Sequence, residues 1–293
     1  MLFNEKYKYY LDIINNYIDN LFEKLKNTNR APKILLDGME YAVLGGGKRV
    51  RPVLALATAE MLNLSIDKVI NFAVAIELIH SYSLVHDDLP AMDNDDYRRG
   101  KLSTHKKFGE ANGILIGDAL LNYAFELCLD CDNLDCNSLS AIKYIANCAG
   151  YSGMICGQVL DLTNENSTEF NKEKLYEIIE NKTGKLISAP IVSVSKIADS
   201  IYLDKIEEFA YNLGILFQIT DDILDCESDF ENLGKTPHKD EEQNKLTAIK
   251  VFGLNGAKKQ CEFHFNSAIN SLKNIPNNDF LIQFTNYIYQ RNS

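Results

Sequence analysis

The sequence predicts an all-α fold, which we expect to form one large domain over residues 1–293. Only six prolines are present and none lies between Pro90 and Pro190, although short strands joined by turns need frequent proline and glycine. The segments 72–85 and 114–127 are apolar almost all round. Helices of that kind lie in the middle of a large bundle, so we expect both to be covered on every side.

Helical spacing indicates one bundle of many antiparallel helices. Apolar residues recur at the period of an α-helix in one clear stripe, formed by Leu175, Ile178, Ile179 and Leu186. No internal repeat of fixed period stands out. The most irregular stretch, 227–244, is acidic, carries lysines, Gly234 and Pro237, and is predicted to be a long loop.

Composition and charge exclude several classes of protein. The 30 basic and 41 acidic residues give a net charge of −11, and such a surface repels nucleic-acid backbones. No apolar run approaches the roughly 18 residues of a membrane span. The first residues, MLFNEKYKYYLDII, do not resemble a secretory signal. We therefore expect a cytoplasmic protein without nucleic-acid partners or stable membrane insertion.

The seven cysteines are odd in number and too sparse for a disulfide scaffold. Cys128 and Cys131 have the spacing CxxC, but no second CxxC or paired histidine follows at zinc spacing. We interpret the cysteines as structural thiols.

Two clusters of aspartates give the strongest functional signal. The first is DDLPAMD at 87–93 and the second is DDILD at 221–225, and each directly follows an apolar helical run. Carboxylates crowded at the end of a buried helix repel one another and lose hydration, so they need compensation. Their hard oxygens suit Mg²⁺ that also binds substrate phosphates. A solvated acidic helix end is the competing interpretation, which the presence of two such clusters disfavours.

Helical periodicity places polar residues on otherwise apolar helix faces. The three stripes are Gly214, Gln218, Asp221 and Asp225; His80, Ser83 and Asp87; and Lys182 with Thr183, which extend the stripe that begins at Leu175. A lysine and a hydroxyl on an apolar face need anionic or polar partners. Three helices would thus direct polar groups into one apolar interior, which predicts a lined cavity.

The aspartates of the first cluster are not spaced for one helix face. Asp87 and Asp93 are six residues apart, and a regular helix would place them on different faces. Pro90 lies between them and breaks the hydrogen-bond ladder. We therefore expect the helix to loosen there and Asp93 to turn back.

Basic residues are concentrated in three places in this acidic chain. Residues 45–52, GGGKRVRP, combine a glycine turn with three cations; glycine lets backbone amides approach an anion, and arginine matches phosphate oxygens. A helix C-cap with solvated charges explains the same residues equally well. Arg98–Arg99 form the second place, with pairing to aspartate as an alternative. The third is Lys235, Lys239 and Lys245. Basic side chains beside clustered aspartates indicate that the protein binds a diphosphate partly through Mg²⁺ and partly through direct contacts.

Several motifs follow one another in order over nearly the whole chain. They are GGGKRVRP, IHSYSLVHDDLPAMDNDDYRRG, GQVLDL, NKTGKL, FQITDDILD and LGKT followed by KD. With these motifs the sequence resembles the trans-type polyprenyl diphosphate synthases, of the bacterial farnesyl/geranylgeranyl kind. The resemblance implies an all-α homodimer with a deep central cavity in each subunit.

The resemblance also implies roles for individual residues. Magnesium, expected as three ions per site, would be bound by Asp87, Asp88 and Asp93 and by Asp221 and Asp225. The allylic diphosphate would be held by Arg98, Lys182, Thr183, Gln218, Lys235 and Lys245. Isopentenyl diphosphate would be held by Lys48, Arg51, His80 and Arg99.

The implied reaction begins with ionisation of dimethylallyl or geranyl diphosphate. Mg²⁺ and lysine neutralise the departing pyrophosphate, and a dry cavity protects the allylic cation from water. Oxygens of Thr183 and Gln218 would stabilise that cation, the isopentenyl double bond attacks it, and pyrophosphate removes the proton. Asp87, Asp221 and Lys182 complete the residues expected to carry catalysis.

Product length depends on how far the cavity extends below the first aspartates. Tyr82 lies five residues before Asp87, about 7.5 Å deeper at helical rise. The spacing places it about 140° round the helix, so a core tyrosine packed on a neighbouring helix is an open alternative. The resemblance favours Tyr82 as a floor that ends the product at fifteen carbons, whereas the small Ser83 would let a twenty-carbon chain past.

A few positions depart from the family pattern or have an open role. Tyr97 replaces a commonly aliphatic residue, and Pro237–His238 replaces the usual Ala-Gly, which would stiffen the loop. Arg291 is the single basic residue of the tail. Gln158 and Asp161 match a family motif, with helix packing as the alternative role.

Three alternative functions stay open. A geranylgeranyl diphosphate synthase would share every motif. A class I terpene cyclase would need an Asn/Ser/Glu motif in place of DDILD and no isopentenyl site. A non-catalytic partner subunit would usually have lost aspartates that are intact in this sequence.

Overall fold

The computed structural model describes residues 2–131, 134–165, 171–227 and 245–291. Most of these residues are helical and the described strands have two residues each, which confirms the all-α class. The helices are α1 (Phe3–Asn27), α2 (Lys33–Leu44), α3 (Val50–Met61), α4 (Ile70–Asp87), α5 (Thr104–Phe108), α6 (Glu110–Leu129), α7 (Cys136–Ala149), α8 (Met154–Asn164), α9 (Lys172–Ile179), α10 (Lys185–Ile197), α11 (Leu203–Glu227), α12 (Ala248–Leu272) and α13 (Asp279–Tyr289), with a 3₁₀ turn at Ile66–Lys68.

Contacts group the chain into two compact units. Unit 1 comprises residues 1–56 and 65–134, and unit 2 comprises residues 57–64 and 135–293. The expectation of one domain over the whole chain stays a prediction. Within the described ranges, no helix combines the length and the apolar character needed to cross a membrane.

In unit 1, α4 packs against α6 and α2. Residues 72–79 of α4 are all buried, as predicted for this apolar segment. The matching prediction for 114–127 was wrong, because Ile114 is 47% exposed and Leu115 is 56% exposed. Helix α6 buries one face, which contains Ile116 and Leu120, so apolar residues on the opposite face remain at the surface.

A short hairpin follows the first aspartate cluster. Strands β1 (Tyr97–Arg98) and β2 (Lys101–Leu102) pair antiparallel, with Tyr97 opposite Leu102 and Arg98 opposite Lys101. The two turn residues, Arg99 and Gly100, both have positive φ, at 53° and 74°. This is the backbone of a two-residue hairpin turn whose twist matches that of the strands. The sequence pattern does not predict this hairpin, which carries the adjacent arginines Arg98 and Arg99.

In unit 2, α11 packs against α10 and α12. The predicted stripe of Leu175, Ile178, Ile179 and Leu186 is buried, as expected. The stripe does not continue as a regular α-helix, however, because residues Glu180–Gly184 form a π-helical turn between α9 and α10. Its wider turn shifts Lys182 and Thr183 relative to the predicted spacing. Of the predicted loop 227–244, Glu227 is the last residue of α11 and the rest lies outside the described residues.

Candidate active site

The first aspartate cluster folds back on itself as predicted. Helix α4 ends at Asp87, and the backbone N–H of Asp93 donates to the carbonyl oxygen of Asp87 at 2.9 Å. Pro90 lies exposed between them. The turn therefore brings the two residues together although their spacing does not fit one helix face.

Asp88 takes a different position from its neighbour. Its carboxylate is buried and accepts from Nε of Arg98 at 2.9 Å and also from Nη2 of the same guanidinium. Burial raises the pKa of Asp88, and the hydrogen bonds from Arg98 oppose that shift. Pairing with aspartate was the alternative interpretation of this arginine, and the structure shows it. The arginine predicted for the allylic diphosphate is therefore fixed in place by a buried carboxylate.

The glycine turn of GGGKRVRP contacts the second hairpin arginine. Gly46 and Gly47 have φ values of 100° and 130°, and Arg99 donates to the carbonyl oxygen of Gly46. A Cβ added to Gly47 would lie 2.7 Å from Nη1 of Arg99, so a side chain there would displace the guanidinium. The turn thus needs glycine both for its backbone and for the close approach of Arg99.

The three cations that follow the turn have different environments. Lys48 is exposed, whereas Arg49 is buried and donates from Nη1 to Glu77 Oε1 at 2.9 Å and from Nη2 to the Val43 carbonyl at 2.7 Å. The Val43 carbonyl belongs to the last turn of α2, where helical carbonyls lack intrahelical partners. Arg49 is therefore structural, which agrees in part with the helix C-cap alternative.

Arg51 and His80 complete a cationic cluster in unit 1. Nε of Arg51 is buried without a hydrogen-bond partner among the described residues, and burial lowers the pKa of this guanidinium to about 10. Burial, with nearby Arg51 and Arg99, lowers the pKa of His80 well below its usual range. His80 is then neutral near pH 7 and has one N–H to donate. The cluster of Arg51, His80 and Arg99 can therefore bind an anion.

Tyr82 is 5% exposed, and its ring packs edge-on against His86 with centroids 5.6 Å apart. Its hydroxyl has no hydrogen-bond partner within the described part of the chain. Burial and Asp87 raise the pKa of Tyr82 to about 12. The neighbouring Ser83 donates to the carbonyl of His80 at 2.8 Å. A product floor and a core tyrosine are both consistent with this environment.

In unit 2, the π-helical turn packs closely against two helices. A Cβ added to Gly157 of α8 would lie 2.1 Å from the backbone nitrogen of Lys182, and one added to Gly214 of α11 would lie 2.7 Å from Cα of Gly184. Both positions therefore require glycine. Nζ of Lys182 lies 2.5 Å from Oδ2 of the buried Asp161.

The second aspartate cluster lies within α11. Thr183 donates to Oε1 of Gln218 at 2.6 Å, which connects the π-helical turn to α11. Asp221 accepts from Arg291 of the C-terminal segment, whose guanidinium lies 5.0 Å from the centre of the Phe217 ring. Asp225 is half-buried. The tail arginine, whose part in the site was open, thus contacts a residue predicted to bind metal.

Not every predicted residue can be placed. Lys245 is half-buried, whereas Lys235, Lys239 and the Pro237–His238 pair lie outside the described residues. In the ranges that the structure describes, no three His, Cys, Asp or Glu side chains form a group that could hold a metal ion.

Comparison with known proteins identifies the family. The family model described as "Polyprenyl synthetase" matches residues 32–277. The chain belongs to this family. It is 40% identical over 286 residues to a farnesyl diphosphate synthase of Micrococcus luteus, covering 97% of this chain and 96% of that protein. It is 38% identical over 267 residues to a geranylgeranyl diphosphate synthase of Cyanophora paradoxa, covering 89% of each.

A solved structure of this fold comes from Helicobacter pylori. That protein is a geranyltransferase complexed with magnesium and isoprenyl diphosphate. The two chains have a TM-score of 0.80 and are 32% identical, over 96% of this chain and 98% of the other. The isoprenyl synthase fold of this polyprenyl synthetase therefore follows from structure as well as sequence.

Sequence reasoning missed one residue that organises the site of this polyprenyl synthetase. Glu77 is a buried carboxylate on α4, one turn before His80. Its signal is an acidic residue inside an apolar helical run, which needs a cation. Asp161 was left between two roles, and its contact with Lys182 now gives it a partner.

Proposed function

We propose that this polyprenyl synthetase is a magnesium-dependent farnesyl diphosphate synthase. It condenses isopentenyl diphosphate with dimethylallyl or geranyl diphosphate, head to tail, and releases pyrophosphate. The observation that carries the proposal is the cationic cluster of Arg51, His80 and Arg99 in a chain that has two intact aspartate motifs. A terpene cyclase has no use for such a second diphosphate site.

The isopentenyl diphosphate is assigned to this cluster together with the exposed Lys48. A buried arginine nitrogen without a partner favours binding of an anion, because the anion supplies the missing acceptor. Neutral His80 adds an N–H donor. The allylic diphosphate is assigned to Arg98, Lys182, Thr183, Gln218, Lys235 and Lys245, as the resemblance implies.

The residues present fit the metal that the family implies. Asp221 already accepts from the guanidinium of Arg291, so this carboxylate is placed to receive a cation. We assign Mg²⁺, in three ions, to Asp87, Asp93, Asp221 and Asp225. Asp88, also predicted as a ligand, accepts from Arg98 and is assigned to holding that arginine. When bound, Mg²⁺ neutralises the charge of the leaving pyrophosphate.

The chain's own residues would guide the carbocation. Oxygens of Thr183 and Gln218 lie 2.6 Å apart and would stabilise positive charge on the allylic fragment. Lys182, whose Nζ lies beside Asp161, would bind the departing pyrophosphate. That pyrophosphate would then remove a proton from the cation formed by condensation, which gives the double bond of the product without a side-chain base.

We also propose a homodimer, and the exposed face of α6 supports it. Ile114, Leu115 and Leu129 of this helix are between 47% and 56% exposed. Exposed large apolar side chains on one helix are consistent with an interface. Leu115→Glu should yield a monomer in light scattering, whereas Glu126→Gln on the same helix should not change the mass. The cytoplasmic location stays a prediction from the sequence.

A product assay tests the function. Purified protein is incubated with dimethylallyl diphosphate, isopentenyl diphosphate and Mg²⁺, and products are identified by mass. Farnesyl diphosphate as the end product, absent with chelator, is expected. Geranylgeranyl diphosphate would leave the chemistry intact and favour the longer-chain alternative. Cyclic hydrocarbons would indicate a cyclase, and no product at all would indicate a non-catalytic partner subunit.

A further inference from the structure

Asp222, the second aspartate of the DDILD motif, lies at the centre of a chain of hydrogen bonds in unit 2. Oδ1 accepts from Nε2 of Gln218 at 2.8 Å, and Oδ2 accepts from the backbone N–H of Ala248 at 2.7 Å. Gln218 in turn accepts from Thr183 at 2.6 Å. Asp222 is 6% exposed. Three separate segments, the π-helical turn, α11 and the start of α12, are connected through this carboxylate.

The carboxylate determines which way the Gln218 amide points. An ionised carboxylate only accepts hydrogen bonds, so Gln218 must direct its NH₂ group toward Asp222. Its Oε1 atom is then left to face Thr183, whose hydroxyl must donate. With the opposite amide orientation, Gln218 would direct an oxygen at a carboxylate and an NH₂ group at Thr183. Asp222 therefore keeps the oxygen of Gln218, and not its NH₂ group, next to the hydroxyl oxygen of Thr183.

The contact with Ala248 fixes a second element. Ala248 is fully buried and is the first residue of α12, where backbone N–H groups have no intrahelical acceptor. Asp222 supplies the acceptor. Lys245, predicted to bind diphosphate, lies three residues earlier in the chain. The same carboxylate that orients Gln218 therefore anchors the segment that carries Lys245.

We propose that Asp222 is a positioning residue for prenyl transfer and not a magnesium ligand. It acts through Gln218 and Ala248, and the proposal rests on the function proposed above, in which Thr183 and Gln218 stabilise the allylic cation. A carboxylate that binds metal should instead act through the metal, with an effect that does not depend on Gln218.

Asp222→Asn tests this with steady-state kinetics. Gln218 Nε2 and the Ala248 N–H bind different oxygens of Asp222, and asparagine has a donating NH₂ group in place of one of them, so one of these two hydrogen bonds is lost. We expect kcat to fall about ten- to a hundredfold, as for loss of a hydrogen bond to a charged group. KM for isopentenyl diphosphate and the Mg²⁺ concentration for half-maximal rate should stay within about twofold of the native values. Asp225→Asn, one helical turn on, is the matched control and should raise the Mg²⁺ requirement.

A double variant distinguishes positioning through Gln218 from direct binding of Mg²⁺ by Asp222. Gln218→Met removes the hydrogen bonds of the amide, and Asp222→Asn added to it should cost little further kcat, because both act through one pair. The proposal would be overturned if the kcat losses of Gln218→Met and Asp222→Asn multiplied in the double variant. It would also be overturned if Asp222→Asn raised the Mg²⁺ requirement as much as Asp225→Asn does. If Asp222→Asn does not fold, Gln218→Met alone must show the kcat loss at unchanged Mg²⁺ requirement.

Hydrogen exchange gives a readout that does not need turnover. The Ala248 amide should exchange faster in Asp222→Asn than in the native protein and should be unchanged in Asp225→Asn. If the native protein makes no prenyl product, the proposed function fails whatever the exchange shows. If the native protein is active and neither kcat nor Ala248 exchange changes in Asp222→Asn, only the role of Asp222 fails.

Discussion

The two aspartate motifs look alike in sequence, but different donors bind the second aspartate of each. In both, the second aspartate is buried: Asp88 is 2% exposed and Asp222 is 6% exposed. Asp88 accepts from the guanidinium of Arg98, whereas the hydrogen bonds described for Asp222 come from the Gln218 amide and the Ala248 N–H. In each motif the first aspartate, Asp87 or Asp221, is partly exposed, and the second is buried and hydrogen-bonded inside the protein.

Both units contain ion pairs. In unit 1, Arg49 and Glu77 form a buried pair at 2.9 Å, and in unit 2 Lys182 pairs with the buried Asp161 at 2.5 Å. In unit 2, the buried His264 is held by neutral groups, with Nδ1 2.9 Å from the Asn212 oxygen and Nε2 3.1 Å from the Tyr176 hydroxyl. Buried ion pairs and neutral networks respond differently to mutation and to pH.

The largest expected effect is the loss of the charged partner in the first motif. Asp88→Ala leaves the Arg98 guanidinium without its buried carboxylate, and we expect the free energy of unfolding to fall by about 3–5 kcal/mol. Asp222→Ala removes the acceptor of the Gln218 amide and of the Ala248 N–H, and the loss of these two hydrogen bonds should cost about 1–3 kcal/mol. Urea denaturation of both variants measures the difference. Equal costs would show that the two sites are not distinguished by charge.

The neutral network predicts acid sensitivity in unit 2. Burial lowers the pKa of His264 to about 4 from an ordinary 6.5, so the unfolded chain binds the proton more tightly. The stabilisation is therefore complete above pH 6.5 and is lost as the pH falls toward 4, by about 3 kcal/mol. Denaturation at several pH values measures it. His264→Gln should flatten the dependence in this window, and an unchanged slope would contradict the assignment.

Tyr82 tests whether the first region also sets product length. Tyr82→Ala should lengthen the product beyond fifteen carbons, because it removes the ring below Asp87. Tyr82→Phe is the control: it keeps the ring and removes a hydroxyl that has no partner among the described residues, so the product should stay the same. Mass analysis of the products decides. The same product from both variants would leave Tyr82 as a core residue.

The smallest expected effect concerns the tail. Arg291 and a metal ion would compete for Asp221, so Arg291→Gln should lower the Mg²⁺ concentration for half-maximal rate. A partly exposed pair contributes up to about 1 kcal/mol, which corresponds to a shift of up to about fivefold. Lys273→Gln, at an exposed position in the same unit, is the control. A higher Mg²⁺ requirement in Arg291→Gln would indicate that the tail assists metal binding.

Local rules predicted much of the fold and of the first cluster. The period of the apolar residues identified the helical class and the burial of residues 72–79. Pro90 predicted the turn that returns Asp93 to Asp87, since a proline removes a donor whatever surrounds it. These are features that a few neighbouring residues determine.

Features that depend on distant partners were not predicted. The π-helical turn at Lys182 depends on close packing against Gly157 and Gly214, which periodicity does not detect. The different environments of Lys48, Arg49 and Arg51 depend on which of these side chains reaches Glu77, a residue far along the chain. The exposed face of α6 was missed because composition shows that a helix is apolar but does not show what covers it.

The most direct test of the account is whether the two aspartate motifs serve one chemical step. Pyrophosphate release from geranyl and isopentenyl diphosphates is measured for Asp87→Ala, Asp221→Ala and the double variant. We expect each single variant to lose at least about a hundredfold in kcat. The double variant should lose little more, because residues that act as a unit are not additive. Native turnover in Asp221→Ala, or losses that multiply in the double variant, would contradict a shared role.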